Sequence, residues 1–377
     1  MKIIVDALPF ITLPTGIGRY VRLLYTYLSR LGADILYFVH DLSPQMPPPP
    51  PIKTWSKRTD FLWSLPWPFV TCLRAIFWLR FERRLLKAIA GKENLVLHEP
   101  ALFPLKTDLP QVFTLHDLTL LLRPEDHPRE RVAFFRLFFK RRLPYADHVI
   151  SVSEFTRQEA IKYLSLKAER ISTIPLAAAP HFKPAPPSMI CEVLQKYHLP
   201  PNYFLFVGTI DPRKNLDLIL EAISRLSATP PLVIAGWKGW GHKKLEHRLA
   251  HLGLKERVHL LDYVSEEDLR ALYSGAKALL YPSLYEGFGL PILEAMACGC
   301  PVITSNTSSL PEVAGKAALL IDPTSVQELI AAIEEVLTPA CREELIQRGF
   351  KQVQRFSWAK TARQTLDIFK RVLKEHD

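Results

Sequence analysis

Cysteine is scarce in this 377-residue chain, with five in all: Cys72, Cys191, Cys298, Cys300 and Cys341. An odd number with no Cys-x-x-Cys pair argues against a disulfide framework or a structural zinc site and fits a reducing compartment. Glycine is sparse at 15, and many of the 32 prolines gather at 47–51 and 184–187, so collagen-like and low-complexity readings fall away and the two clusters mark connectors. No long apolar run occurs. The stretch from Phe61 to Leu73 is broken by Pro66 and Pro68 and stops at Arg74, short of the roughly 20 residues a spanning helix needs. The opening Met-Lys-Ile-Ile-Val-Asp sets Asp6 where a secretory leader requires an apolar core, so the expected location is cytoplasmic. Asp-x-Asp is absent as well.

The remainder is a folding composition: 48% hydrophobic, 10% aromatic and 23% charged residues exclude a disordered chain and a coiled coil. The length exceeds a usual single core and leads to an expectation of two domains. The net charge is +10, and most of the excess sits in the first half. Lys53 to Lys92 carries nine basic and two acidic residues, interleaved with Trp55, Phe61, Trp63, Trp67, Phe69, Phe77, Trp78 and Phe81. A second such run, Arg129 to Tyr145, sets Arg129, Arg131, Arg136, Lys140, Arg141 and Arg142 around Phe134, Phe135, Phe138 and Phe139. Cations beside rings suit an anionic bilayer surface, where rings settle at the headgroup boundary. Ordinary amphipathic helices with aromatic cores would read the same way, and nucleic acid is the least favoured partner.

Strand-like runs at Lys2–Asp6, 35–39, 95–97, 111–115 and 148–152 alternate with helical stretches. The clearest of these has Ile17, Tyr20, Val21, Leu24, Leu28 and Leu31 on a 3.6-residue period after a loop holding Gly16 and Gly18. Past the second proline cluster the alternation begins again, with strands expected at 203–207, 232–235, 258–261, 278–281, 302–304 and 318–321. Two doubly wound parallel sheets follow, and such domains facing each other would leave a cleft at the carboxyl ends of their strands.

The chemistry concentrates in Glu286-Gly287-Phe288-Gly289-Leu290-Pro291-Ile292-Leu293-Glu294, after an expected strand. Gly287 and Gly289 let the backbone approach a ligand, Pro291 suits a first helical turn, and a helix start offers free amides to phosphate. Glu286 is expected in the loop and Glu294 in the first turn, where carboxylates accept from sugar or ribose hydroxyls.

These residues resemble the E-x7-E motif of the retaining glycosyltransferases of family 4. Tyr281 to Pro291, the segments 295–302 and 308–313, and Gly208-Thr209-Ile210-Asp211-Pro212-Arg213-Lys214-Asn215 are all similar to that family. The resemblance is strong over about 200–325 and looser before it. It implies a GT-B fold: an acceptor-binding Rossmann-like domain at 1–176, joined by a C-terminal helix at about 357–377, and a nucleotide-sugar domain at 177–356. Glu286 would hold donor-sugar hydroxyls and Glu294 the ribose, while Arg213 and Lys214 would neutralise the diphosphate without a metal or other cofactor. Gly16, Gly18, Gly208, Gly287, Phe288, Gly289 and Leu290 would shape the donor site, and His116 would lie beside the transferred sugar. His98, which ends an expected strand, would line the acceptor side. The preferred donor is GDP-mannose, with UDP-glucose and UDP-N-acetylglucosamine open, and the acceptor is a glycan or a lipid-linked glycan at the inner face of the cell membrane. One departure is Ala177-Ala178-Ala179, where the family often has a polar turn. A GT-B hydrolase, epimerase or phosphorylase, or a non-catalytic nucleotide-sugar-binding protein, would reuse the same motifs.

Overall fold

The computed structural model describes residues 1–11, 16–49, 66–237, 239 and 242–376. The chain forms two compact units, Met1–Leu176 with Trp358–Asp377, and Ala177–Ser357.

The first unit is built on seven strands, β1 (Lys2–Asp6), β2 (Asp34–Phe38), β3 (Leu42–Ser43), β4 (Leu95–Glu99), β5 (Gln111–Leu115), β6 (His148–Ser151) and β7 (Ile171–Thr173). Their order is β3-β2-β1-β4-β5-β6-β7, parallel except for the two-residue edge strand β3. The strands read as near-continuous Val, Ile, Leu and Phe because helices cover both faces of such a sheet. Helix α1 (Gly16–Arg30) buries Tyr20, Val21, Leu24 and Leu28 of the expected stripe and adds Tyr25, while Ile17 is half-buried and Leu31 lies exposed past its end. It starts at Gly16, so Gly16 and Gly18 lie in its first turn rather than in a preceding loop, a correction that follows from α1 continuing its helical bonds back to that residue.

Helix α2 (Trp67–Ile89) divides the first basic aromatic segment. Trp78 and Phe81 enter the core with Leu85 and Ile89, while Trp67, Phe69, Leu73, Ile76 and Phe77 stand exposed. Lys53, Trp55, Phe61 and Trp63 lie outside the described residues. The second segment is corrected outright. In α3 (Arg129–Arg142) Phe135, Phe138 and Phe139 are core residues, and the buried Arg142 guanidinium donates to both oxygens of Glu82 at 2.5 and 2.9 Å over the Trp78 ring. Its rings are spent on packing, so it offers no aromatic face to a bilayer.

The first unit is completed by the C-terminal helix Trp358–His376, which buries Trp358, Phe369 and Val372. Thr361 donates to the Pro175 carbonyl at 2.7 Å, and the Phe369 ring packs 5.0 Å from that of His98.

The second unit repeats the plan with six strands, β8 (Phe204–Val207), β9 (Leu232–Ala235), β10 (Val258–Leu261), β11 (Ala278–Tyr281), β12 (Val302–Ser305) and β13 (Leu319–Ile321), in the order β10-β9-β8-β11-β12-β13, all parallel. Its core joins these strands to α4 (Leu216–Arg225), whose Leu216, Ile219, Leu220 and Ile223 are buried. In both sheets the chain direction of travel reverses beside the first strand of the unit, between β1 and β4 and between β8 and β11. Such reversals splay the following loops apart and are where α/β sheets hold ligands. No helix among the described residues is long and apolar enough to cross a membrane.

Candidate functional site

At the second reversal, β8 runs out through Gly208 into a tight turn at Pro212–Lys214, and β11 runs out into the loop 282–289. The two loops are tied by backbone and side-chain bonds, Leu284 N–H to the Arg213 carbonyl at 2.8 Å and the Asn215 amide to the Pro282 carbonyl at 3.1 Å. A Cβ on Gly236, after β9, would fall 2.0 Å from the Gly208 oxygen, so glycine there permits backbone against backbone.

This closure brings Arg213 and Lys214 onto Glu286. Lys214 Nζ reaches Oε1 at 2.5 Å and Arg213 reaches Oε2 at 2.8 Å. The Tyr281 hydroxyl accepts from Lys214 at 2.7 Å and donates to Glu286 Oε1 at 2.9 Å. Asp211 lies 3.7 Å from Arg213, so two carboxylates face two cations in an interior where Lys214 is 8% and Glu286 7% exposed. Burial alone would raise the Glu286 carboxyl; Arg213 and Lys214 outweigh it and hold the group at about 2. The same burial pulls the Lys214 ammonium below its ordinary value, against the attraction of Glu286 and with the repulsion of Arg213. Glu286 is therefore an ionised acceptor at neutral pH, and its charge is held in place rather than solvated.

The loop is braced from behind. Glu286 N–H donates to Ser308 Oγ at 3.1 Å, and the Ser309 hydroxyl lies 2.9 Å from the Glu286 carbonyl and 3.0 Å from that of Phe288. Phe288 is buried against Phe356, and Gly287 continues the loop to Gly289, whose φ of +101° and contact with Leu310 exclude a side chain. There α5 (Leu290–Ala297) begins, with Leu290 and Pro291 in its first turn. Glu294 falls in the second turn, not the first as expected, because the helix starts no earlier than Leu290. It is buried, and Tyr273 donates to its Oε2 at 3.0 Å. Gly208 sits beside the Lys214 side chain, which a Cβ would meet at 3.6 Å.

In the first unit, His116 follows β5. Its Nε2 donates to the Pro100 carbonyl at 2.8 Å, the Tyr20 ring stands edge-on at 4.9 Å, and burial lowers its pKa. Gly16 is exposed and Gly18 buried at the start of α1. His98 requires a correction. It lies inside β4, 1% exposed, with Nδ1 against the Tyr25 hydroxyl at 2.5 Å and Nε2 against Thr114 Oγ1 at 2.9 Å. Burial keeps this ring neutral, with its pKa lowered to about 3, and both nitrogens are engaged inside the protein, so it serves the core rather than an acceptor.

Tyr281 and Tyr273, which hold Glu286 and Glu294, escaped the sequence reading: a tyrosine ending a strand or a helix looks like core, and only the fold aims its hydroxyl. Among the described residues no three His, Cys, Asp or Glu side chains come together as a metal would need.

Residues 195–352 match the family model described as glycosyl transferases group 1, and residues 14–179 match that of glycosyltransferase family 4. The chain is 38% identical to O-antigen chain mannosyltransferase B of Escherichia coli over 299 residues, 78% of each chain, and 30% identical to O-antigen chain mannosyltransferase RfbU of Salmonella typhimurium over 69% of each. Its fold matches a sucrose-phosphate synthase structure from Thermosynechococcus elongatus with a TM-score of 0.77 at 21% identity, over 100% of both chains. With two reversed-order parallel sheets, the E-x7-E loop on the second and family matches along both halves, the chain belongs to the family 4 glycosyltransferases and has the GT-B fold.

Proposed function

We propose that the protein moves a mannosyl group, with retention at the anomeric carbon, from a nucleotide diphosphate sugar to a growing surface-polysaccharide glycan. The observation that carries this reading is the cluster at the end of β11, where Glu286 is held ionised by Arg213 and Lys214. A fixed carboxylate accepts from sugar hydroxyls, and a pair of cations stabilises the diphosphate as it leaves. Glu294, braced by Tyr273, is suited to the ribose hydroxyls. In this reading the side chains, rather than a metal ion, meet the charge that develops on the leaving group, and a leaving phosphate oxygen takes the acceptor hydroxyl's proton. His116 of the first unit touches the transferred sugar. The names of the O-antigen relatives favour mannose, and GDP-mannose is the donor we prefer. Thermal shift and transfer assays with GDP-mannose, UDP-glucose and UDP-N-acetylglucosamine test it: a ligand at 100 times its dissociation constant stabilises by roughly 2.7 kcal/mol, and a shift with UDP sugars alone overturns the choice.

The exposed rings of α2 share a helix with exposed Arg80, Arg83, Arg84 and Lys87. We assign this face to the anionic inner surface of the cell membrane, where a lipid-linked acceptor would be presented. Each cation adds about 1 kcal/mol near such a surface. Wild type should sediment with anionic vesicles at low salt and be released at high salt, and the variant with those four residues changed to Gln should stay in solution. Failure of wild type to sediment overturns the assignment.

A further inference from the structure

Asp6 and Glu99 are the last residues of the neighbouring strands β1 and β4, whose register pairs Val5 with His98 just before them. Both are buried, at 2% and 1% exposure. Asp6 Oδ1 accepts from Leu8 N–H at 2.8 Å, and Glu99 Oε1 accepts from the amides of Leu102 at 2.9 Å and Ala101 at 3.2 Å. The remaining oxygens, Asp6 Oδ2 and Glu99 Oε2, are buried without a hydrogen-bond partner, and burial raises both carboxyl groups above their ordinary values, Glu99 further through the neighbouring Asp6. With Oε1 committed to two amides and burial raising the Glu99 carboxyl well above its ordinary value, a proton on Glu99 would leave one negative charge on the pair.

The Glu99 amide bonds fold residues 99–102 into a turn, and inside that turn lies Pro100, whose carbonyl accepts from His116 Nε2 at 2.8 Å. We infer that the Asp6–Glu99 carboxyl pair positions His116 for catalysis, by holding the turn that aims the Pro100 carbonyl at Nε2. A neutral imidazole that donates from Nε2 carries its lone pair on Nδ1. The turn therefore makes His116 an acceptor at Nδ1, able to take a hydrogen bond from a sugar hydroxyl, and the edge-on Tyr20 ring keeps the imidazole from turning over. The pair acts through Pro100 and touches no substrate, so its members are positioning residues. The consequence for turnover rests on the reading that His116 meets the transferred sugar; the tautomer itself does not.

The test compares Glu99→Gln with Glu99→Ala. Glutamine keeps an oxygen for the two amides and carries N–H in place of the carboxyl proton, so turnover should stay within a few-fold of wild type. Alanine releases the turn and strips Asp6 of its neighbour. The kcat should then fall on the order of 100-fold, as expected for a displaced group, with the donor KM moved far less. Nitrogen-15 NMR of the histidine side chains, with His116 assigned by its disappearance in His116→Ala, reads the tautomer directly: one Nε2–H form in wild type and Glu99→Gln, a mixture in Glu99→Ala. Should Glu99→Ala not fold, Glu99→Asp, one methylene too short to reach the amides, is expected to give the same loss. A single Nε2–H form and wild-type turnover in Glu99→Ala or Glu99→Asp overturn the inference, as does a Glu99→Gln protein as impaired as Glu99→Ala. If His116→Ala retains full turnover while the tautomer still follows residue 99, the sugar contact fails and the positioning stands.

Discussion

At the end of β11 a glutamate is surrounded by cations; at the ends of β1 and β4 an aspartate and a glutamate are buried on neighbouring strands, and burial together with Asp6 raises the Glu99 carboxyl. Burying an uncompensated carboxylate costs several kcal/mol, and the two units meet that cost by opposite routes. Ion pairing keeps the Glu286 charge in existence, with Arg213 and Lys214 gathered on it; under the proposed function, sugar hydroxyls and a diphosphate would use that arrangement. Protonation reduces the charge and keeps the geometry. A buried acid held by cations is equipped for binding, and one beside another acid is equipped to fix a shape.

The largest expected effect breaks the ionic route. Glu286→Gln should lower transfer by two or more orders of magnitude, and it should also destabilise the ligand-free protein by about 3 kcal/mol or more, since it leaves Arg213 and Lys214 crowded without their main counter-charge. A nucleoside diphosphate should restore much of that loss, which a melting series with and without the nucleotide would read. Unchanged turnover refutes the assignment of Glu286.

The two routes also respond to pH with opposite sign. Glu286 is depressed to about 2, so its contribution is present above the ordinary carboxylate value and is lost as pH falls toward 2. Asp6 is raised to about 6 by burial, against the bond from Leu8. A native state that takes up this proton earlier than the unfolded chain is favoured on the acid side and loses stability as pH rises from about 4 through 6. Asp6→Asn removes that decline. Its stability relative to wild type should rise by about 3 kcal/mol across the window, and parallel melting curves for the two proteins would refute the raised Asp6 carboxyl.

Smaller effects sharpen the picture of the second unit. Lys214→Ala should cost roughly 1.5–3 kcal/mol in donor binding, the range for a charge-assisted contact, and calorimetry with the sugar nucleotide would show it. Glu294→Gln should cost about 1 kcal/mol and weaken sugar nucleotide and free nucleotide diphosphate alike, because both carry the ribose. Equal affinities for mutant and wild type would remove Glu294 from that role.

Most of the strands were legible because a two-sided buried strand is a run of Val, Ile, Leu and Phe: Gln111–Leu115, Leu232–Ala235, Val258–Leu261 and Ala278–Tyr281 coincide with the expected ranges. β3 was not, since two half-buried residues on an antiparallel edge leave no run to read. The Glu286 loop was legible as a motif, but its ion pairs join residues 72 and 73 positions apart and depend on strand order. Composition could not separate Phe77 from Trp78, neighbours on one helix of which the first is 60% exposed and the second 1%. The Asp6–Glu99 pair left no trace, because each acid ends an otherwise apolar strand and only the sheet order β1-β4 makes them neighbours.

The helix Trp358–His376 belongs to the first unit although all of the second precedes it in the chain. On the ribosome, the first unit therefore waits for its last element while residues 177–357 emerge and fold as a continuous segment. Until that helix arrives, the surface destined for Trp358, Phe369 and Val372 stays uncovered, which makes the unit begun first the one finished last.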